Sequence, residues 1–297
     1  MKNYLIFRTD TIGDFLLTAI LINSIKRNDP NSKITIISSI KNYSYIKSFP
    51  IVDRVILLKN NLFNKIKLII KLRSEYYDYI IIHDAKKRSK FISIFLKYRL
   101  KIIPNNNLDI SHITKIKRIL LKLNFDFIVS DLDTLKNRNY NSTNIKYKNF
   151  ILFHFDEKWI YDSYIREYTN IEPFNDDLIN FIKDLSLNSK KKIVITTGII
   201  SPQILEDLTK SNFNNQIEIF KNTNFLDLEA IVSKCDLLIS CHGAISHVAA
   251  AHNIKQIDII EQNKLNFYLK WTSHFRSYKS IYRKKFTELC IEIIKLL

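Results

Sequence analysis

Three short stretches of this sequence bring together residue types that can move protons or hold anions. The first is Arg8-Thr9-Asp10-Thr11-Ile12-Gly13-Asp14, a junction between a short apolar run and a longer apolar segment. If that segment is a helix, Asp14 lies at its N-terminus, where the positive end of the helix stabilises an ionised carboxylate. A carboxylate so held in a cleft can serve as a general base. Asp10, Thr11 or Asp14 could equally do no more than cap the helix. The second stretch is His154-Phe155-Asp156-Glu157-Lys158-Trp159. Lys158 could neutralise a diphosphate as a flexible point charge, or be an ordinary solvated lysine. The third is Ser240-Cys241-His242-Gly243-Ala244-Ile245-Ser246-His247, followed by Val-Ala-Ala-Ala. Small residues that open a helix directly after a strand leave backbone N–H groups and a positive dipole end for a phosphate. His247 could as well be a packed core histidine. Cys241, His242 and His247 cluster, but a metal site needs three or four converging ligands and no further ones are indicated. Cys241 is either a nucleophile beside a histidine or a packed thiol.

Glycine sharpens these positions. An average chain of this length would carry roughly 20 glycines; this one has 3. A chain so poor in glycine should keep it where the backbone takes positive φ or approaches a ligand closely, although tight turns also select it. Gly13, Gly198 and Gly243 each follow an expected strand, so all three mark the carboxyl edge of a sheet, where open α/β folds bind ligands. Neither GxxxxGKS/T nor GxGxxG occurs, so the common nucleotide fingerprints are missing.

The elements that would position these residues alternate as in parallel sheets with crossover helices. Strands are predicted at 4–7, 34–37, 54–58, 79–82 and 100–103, with a helix from Asp14 to Arg27 stopped by Asn28-Asp29-Pro30. A polar, aperiodic stretch from Lys136 to Lys148 reads as a linker. A second series follows, with strands at 150–154, 192–197, 216–220, 237–240 and 255–260 and helices including 226–234 and 245–252. The expected organisation is a Rossmann-like domain over residues 1–140 and another over 149–280, with a helix at 286–297 that could pack back on the first.

Composition narrows the function classes. The 297 residues include 46 Lys and Arg against 29 Asp and Glu, a net charge of +17 that favours anionic partners. The basic residues are interspersed and no nucleic-acid motif accompanies them, so nucleic acid is not an expected partner. The 3 cysteines have no CxxC spacing, which argues against a disulfide framework or a zinc site and for reduced cytosol. No signal peptide and no apolar stretch of about 20 residues is apparent, so any membrane contact is expected to be peripheral.

Taken in order, RTDTIGDFLLT, HFDEKW and TNFLDLEAIVSKCDLLISCHGAISHVAAA resemble the heptosyltransferase-like glycosyltransferases, family 9 of the sequence classification. The likeness is strongest at the first loop and across Asn224 to Ala251. It implies an α/β GT-B fold, two facing Rossmann-like domains with an interdomain cleft, the first binding acceptor and the second a nucleotide-sugar donor. It also implies inverting transfer with no cofactor and no metal. Asp14 takes the place of the family's catalytic base, with Arg8, Thr9, Asp10 and Gly13 in the acceptor-side loop. Lys158 takes the place of the donor-phosphate lysine, and Gly243, Ala244, Ile245, Ser246 and His247 that of the phosphate-binding helix start. Thr197, Gly198, Thr223 and Asn224 fall near the nucleotide or sugar. Where the family carries a sugar-contacting acid this chain has Cys241, followed by His242, and the step from Gly243 to His247 is one residue longer than usual. Heptose is therefore not implied. The expected acceptor is a lipopolysaccharide core or another lipid-linked surface glycan, with an anionic membrane surface as a further partner. A catalytically silent sugar-nucleotide or glycan-binding scaffold and a sugar-nucleotide epimerase are the alternatives.

Overall fold

The computed structural model describes residues 1–105, 109–136, 138–140, 148–163, 166–210 and 216–297. They form two compact units, one of Met1–Thr134 with Lys270–His274 and one of Leu135–Leu269 with Phe275–Leu297. Most of the stretch read as a linker lies outside the described residues. Its described part is tied to the second unit, where Arg138 Nε pairs at 2.6 Å with the fully buried Glu229 and Tyr140 Oη donates to Glu229 at 2.8 Å.

The first unit is built on strands β1 (Asn3–Phe7), β2 (Lys33–Ser38), β3 (Arg54–Leu57), β4 (Tyr76–Ile81) and β5 (Lys97–Ile102). All pair in parallel, in the order β3-β2-β1-β4-β5. Tyr4, Leu5, Ile6 and Phe7 are completely buried, as a central strand covered on both faces must be. The helix after β1, Ile12–Asn28, buries Phe15, Leu16, Leu17, Ile20, Leu21 and Ile25, so its nearly continuous apolar surface is used. It ends where the sequence expects, before Asp29 and Pro30.

The second unit holds β6 (Ile151–His154), β7 (Ile193–Thr196), β8 (Ile217–Phe220), β9 (Leu237–Cys241), β10 (Lys255–Ile260) and β11 (Tyr278–Tyr282). These too are parallel, in the order β11-β10-β9-β6-β7-β8. In both sheets the strand order reverses beside the first strand, between β1 and β4 and between β6 and β9. Successive connections diverge there and leave a crevice at the carboxyl ends.

Two expectations need correction. The C-terminal helix, Phe286–Ile294, packs within the second unit: Phe286, Leu289 and Ile293 join the core of Phe153, Trp159 and Phe181. Its apolar stripe is satisfied there, Phe286 meeting Phe181 edge to face at 5.7 Å, and it is Lys270–His274 that belongs with the first unit. Strand β11 was not expected at all, since YKSIY is half exposed at the sheet edge and carries no apolar run. Among the described residues, no helix is long and apolar enough to cross a membrane.

Candidate active site

At the reversal point of the first sheet, the loops after β1 and β4 open a cavity of about 710 Å³. Arg8, Thr9, Asp10 and Asp14 line one side, and His83, Asp84, Lys86, Arg88, His112, Lys115 and Trp271 line others, with residues that follow β2 and β3 forming the rest of the wall. Arg8 is the anchor. Its Nε donates to Thr18 Oγ1 at 2.7 Å, and its Nη1 reaches Asp10 Oδ2 at 3.1 Å and Asp14 Oδ1 at 3.7 Å. Asp14 Oδ2 accepts from the Thr11 N–H at 3.0 Å and the Thr11 hydroxyl at 2.6 Å, so it does cap the helix start. Lys86 pairs with Asp10, and Arg88 donates to Thr9 Oγ1 at 2.7 Å and Thr9 O at 3.1 Å. The Thr9 hydroxyl in turn donates to buried Asp84 at 2.6 Å. Ala85, beside this network, holds φ at 51°, a strained conformation for a residue with a Cβ.

The cavity's histidines are neutral at ordinary pH. Burial lowers His112 to about 3, helped by the nearby Lys115 and Arg8 charges, and its ring packs on Trp271 at 3.9 Å. Burial likewise holds His83 well below its usual value. The positive charge in the wall is therefore carried by arginine and lysine. This depression fixes a sign: below about 6.5 the unfolded chain binds a proton at each such histidine that the folded protein refuses, so stability falls as pH falls toward 3. We expect His112→Gln to flatten the fall of the unfolding free energy, read from urea titrations, over that interval, by up to about 1.4 kcal/mol per pH unit.

In the second unit, the end of β6 lies between two of the three glycines. A Cβ on Gly198, after β7, would stand 2.6 Å from Glu157 Oε2, and one on Gly243, after β9, would stand 3.0 Å from Lys158 Nζ. None of the three glycines has positive φ, and left-handed positions fall mostly to asparagines such as Asn124, Asn222 and Asn253. Close approach is thus what Gly198 and Gly243 provide, while Gly13 sits inside the first helix. Lys158 pairs with buried Asp156; the ammonium and neighbouring His154 hold that carboxyl far below the usual range, and the carboxylate raises Lys158. Gly243 is the N-cap of the helix Ala244–His252. The Ser246 N–H donates to Gly243 O at 3.1 Å, while the N–H groups of Ala244 and Ile245 precede any intrahelical carbonyl, so the Lys158 ammonium and a helix N-terminus share one place.

Several other expected site residues turn inward. Cys241 is buried, with burial pushing its thiol up to about 12, and it accepts from Arg283 Nη1 at 3.5 Å. It packs, covered from solvent, and is not a thiolate nucleophile. His242 Nδ1 lies 2.5 Å from Asp258 Oδ2, and Ser246 Oγ donates to Asp258 Oδ1 at 2.8 Å while accepting from Gly243 N at 3.2 Å. The Ser246 hydroxyl is thereby occupied within the turn. The His247 ring is buried between His242 and Phe275, at 5.7 and 5.2 Å. Thr197 Oγ1 accepts from Asn222 N at 2.8 Å, joining the loops after β7 and β8. Thr223 Oγ1 donates to Phe220 O at 3.2 Å, and Asn224 caps the helix Phe225–Val232.

Asp156 and Glu157 stand in a stretch the sequence singles out but receive no role from it, and Asp258, Arg283 and the residues His83 to Arg88 are not singled out at all. The last group was findable: HDAKKR directly follows an apolar strand, and the first and fourth strands of such a sheet flank its crevice. Asp258 and Arg283 gave no such signal, because each reaches its partner only through the pairing of β9, β10 and β11. Among the described residues, no group of three or more His, Cys, Asp or Glu is placed to hold a metal.

No protein-family model and no curated protein matches the sequence. Solved structures do match the fold. E. coli heptosyltransferase WaaC with ADP aligns with a TM-score of 0.74 at 12% identity, over 99% of this chain and 98% of that one. A glycosyl transferase family 9 protein from Veillonella parvula DSM 2008 aligns at 0.65 and 14% identity, over 99% and 91%. UDP-GlcNAc 2-epimerase from Methanocaldococcus jannaschii aligns at 0.55 and 13% identity, over 99% and 92%. The chain has the two-domain α/β GT-B fold of the heptosyltransferase-like family 9 structures.

Proposed function

We propose that this protein is an inverting, metal-independent glycosyltransferase that moves a sugar from a nucleotide-sugar to a lipid-linked surface glycan such as a lipopolysaccharide core. The observation that carries this reading is the Lys158 side chain against Gly243, at the start of the helix Ala244–His252 and at the reversal point of the second sheet. An ammonium and a helix N-terminus in one crevice suit a diphosphate. The fold is shared with a heptosyltransferase whose structure carries ADP, which supports a nucleotide as the donor's leaving group.

In this mechanism Asp14 takes the proton of an acceptor hydroxyl held in the first unit's cavity. The hydroxyl oxygen bonds to the anomeric carbon as the bond from that carbon to the diphosphate oxygen breaks. The proton ends on Asp14 and the electron pair leaves with the nucleoside diphosphate, whose charge Lys158 and the helix start stabilise. Arg8, Lys86 and Arg88 suit an acceptor that carries phosphate or carboxylate groups. On this reading the protein works in the cytoplasm, as a peripheral protein at the inner face of the cytoplasmic membrane.

A panel of nucleotide sugars and nucleoside diphosphates, screened by thermal unfolding, tests the donor site. A ligand at about 100 times its Kd should add about 2.7 kcal/mol of apparent stability. No shift with any nucleoside diphosphate would remove the donor site from the proposal. The epimerase likeness in fold gives a second reading, separable by its chemistry: an epimerase converts nucleotide-sugar in the absence of any acceptor, whereas a transferase requires one.

A further inference from the structure

Two helices of the first unit are apolar on the side that should be polar. The helix Leu62–Arg73 buries Leu68 and Leu72. At 100° per residue, Phe63, Ile66 and Ile70 fall within about 60° of one another on its opposite side, and they are 65%, 48% and 67% exposed. The helix Lys87–Ile94 buries Ile92 and shows Phe91, Ile94 and the following Phe95 to solvent. The Phe91 and Phe95 rings meet edge to face at 5.2 Å, forming one outward apolar knob. Leu68, Leu72, Ile92 and Leu96 belong to one core cluster, so both helices cover the same face of the sheet and turn their second apolar stripes away from it.

Beside these side chains stand Lys67, Lys71, Arg73, Lys87 and Lys90, and neither helix contains Asp or Glu. Lys67 Nζ lies 4.4 Å from the Phe63 ring centre, a cation–π contact beside the apolar stripe. Single exposed apolar residues are ordinary on a protein surface, but aligned stripes on neighbouring segments of one face are not. Charge of a single sign calls for an anionic partner. Apolar groups that stand separately on convex helices among lysines suit a fluid partner that closes round each one, which a preformed protein pocket would not.

We propose that this face docks the protein on an anionic lipid bilayer, with Phe63, Ile66, Ile70, Phe91, Ile94 and Phe95 entering the headgroup region and the lysines pairing with lipid phosphates. The inference names a surface for the peripheral association considered above. It rests on exposure and charge alone, so failure of the donor or base assignment leaves it standing.

Co-sedimentation of the full chain with vesicles of phosphatidylcholine, and of phosphatidylcholine with an equal part of phosphatidylglycerol, provides the test. The wild type should sediment with the anionic vesicles and not with phosphatidylcholine alone. The variant F63S/I70S/F91S should bind about tenfold less, because its apolar insertion is lost, with an unchanged melting temperature. A second variant, K67Q/K71Q/K90Q, keeps the apolar stripes and should bind less than the wild type at low salt, with a weaker dependence on salt. Hydrogen exchange should show protection of 62–73 and 87–95 by the anionic vesicles. The proposal is overturned if the wild type does not sediment, if phosphatidylglycerol makes no difference, or if both variants bind as the wild type does. A dimer in solution that protects the same segments and is lost in F63S/I70S/F91S would also overturn it, in favour of a contact between copies of the chain.

Discussion

Replacing Asp14 with Asn is expected to lower the glycosyl-transfer rate about 100- to 10,000-fold while leaving the fold and diphosphate binding intact. The geometry makes this exchange unusually clean. Asp14 Oδ2 accepts two hydrogen bonds from Thr11, at 3.0 and 2.6 Å, and an amide oxygen can accept both. Arg8 loses only its longer contact, at 3.7 Å, and keeps Asp10 at 3.1 Å and Thr18 at 2.7 Å. What asparagine cannot do is take a proton from an acceptor hydroxyl. Asp14→Ala removes the cap as well and should cost a further 1 kcal/mol or so of stability. Melting temperatures, calorimetric titration with the diphosphate and initial rates with acceptor separate the two roles. An Asp14→Asn protein with an undiminished rate would leave Asp14 as a cap and nothing more.

The same residue shows how far the sequence reaches. Its place at a helix start was legible because an apolar strand, a polar loop and an apolar helix follow one another within a dozen residues, and each has its own periodicity. The crevices were legible through Gly198 and Gly243, since a chain with so little glycine keeps it where another chain segment comes close. Positive φ is not the reason, because among the described residues asparagine supplies most of the positive-φ positions. What stayed hidden depends on contacts between strands far apart in sequence. Cys241 looks like a substituted donor ligand in one dimension, yet in the sheet it is covered by Arg283 from the far end of the chain. His242 and Ser246 are likewise turned by Asp258, one strand over. Strand β11, which carries Tyr278 to the same carboxylate at 3.3 Å, is too short and too exposed to announce itself.

Removing the Lys158 ammonium alone is expected to abolish the thermal shift given by a nucleoside diphosphate and also to destabilise the protein by about 3–5 kcal/mol. The second effect arises from Asp156, which is buried and loses its principal countercharge. His154 Nε2 at 3.5 Å and the Lys158 backbone N–H at 3.2 Å would remain to it, which places the loss toward the lower end. Binding and folding can be separated with D156N/K158M. This pair carries no buried charge, keeps an acceptor for the backbone N–H, and should recover most of the stability while still binding no diphosphate. Acid supplies an independent check. Because Lys158 and His154 hold the Asp156 carboxyl below its ordinary value of 3.8, the pair's contribution is complete above that pH and is lost as pH falls below it. Any stability difference between the wild type and D156N/K158M should therefore be constant from about pH 7 to 4 and shift against the wild type only in stronger acid. If K158A is as stable as the wild type, the ion pair is not what orders this turn. If D156N/K158M still gives the full diphosphate shift, the anion is held elsewhere and the donor site must be sought away from Gly243.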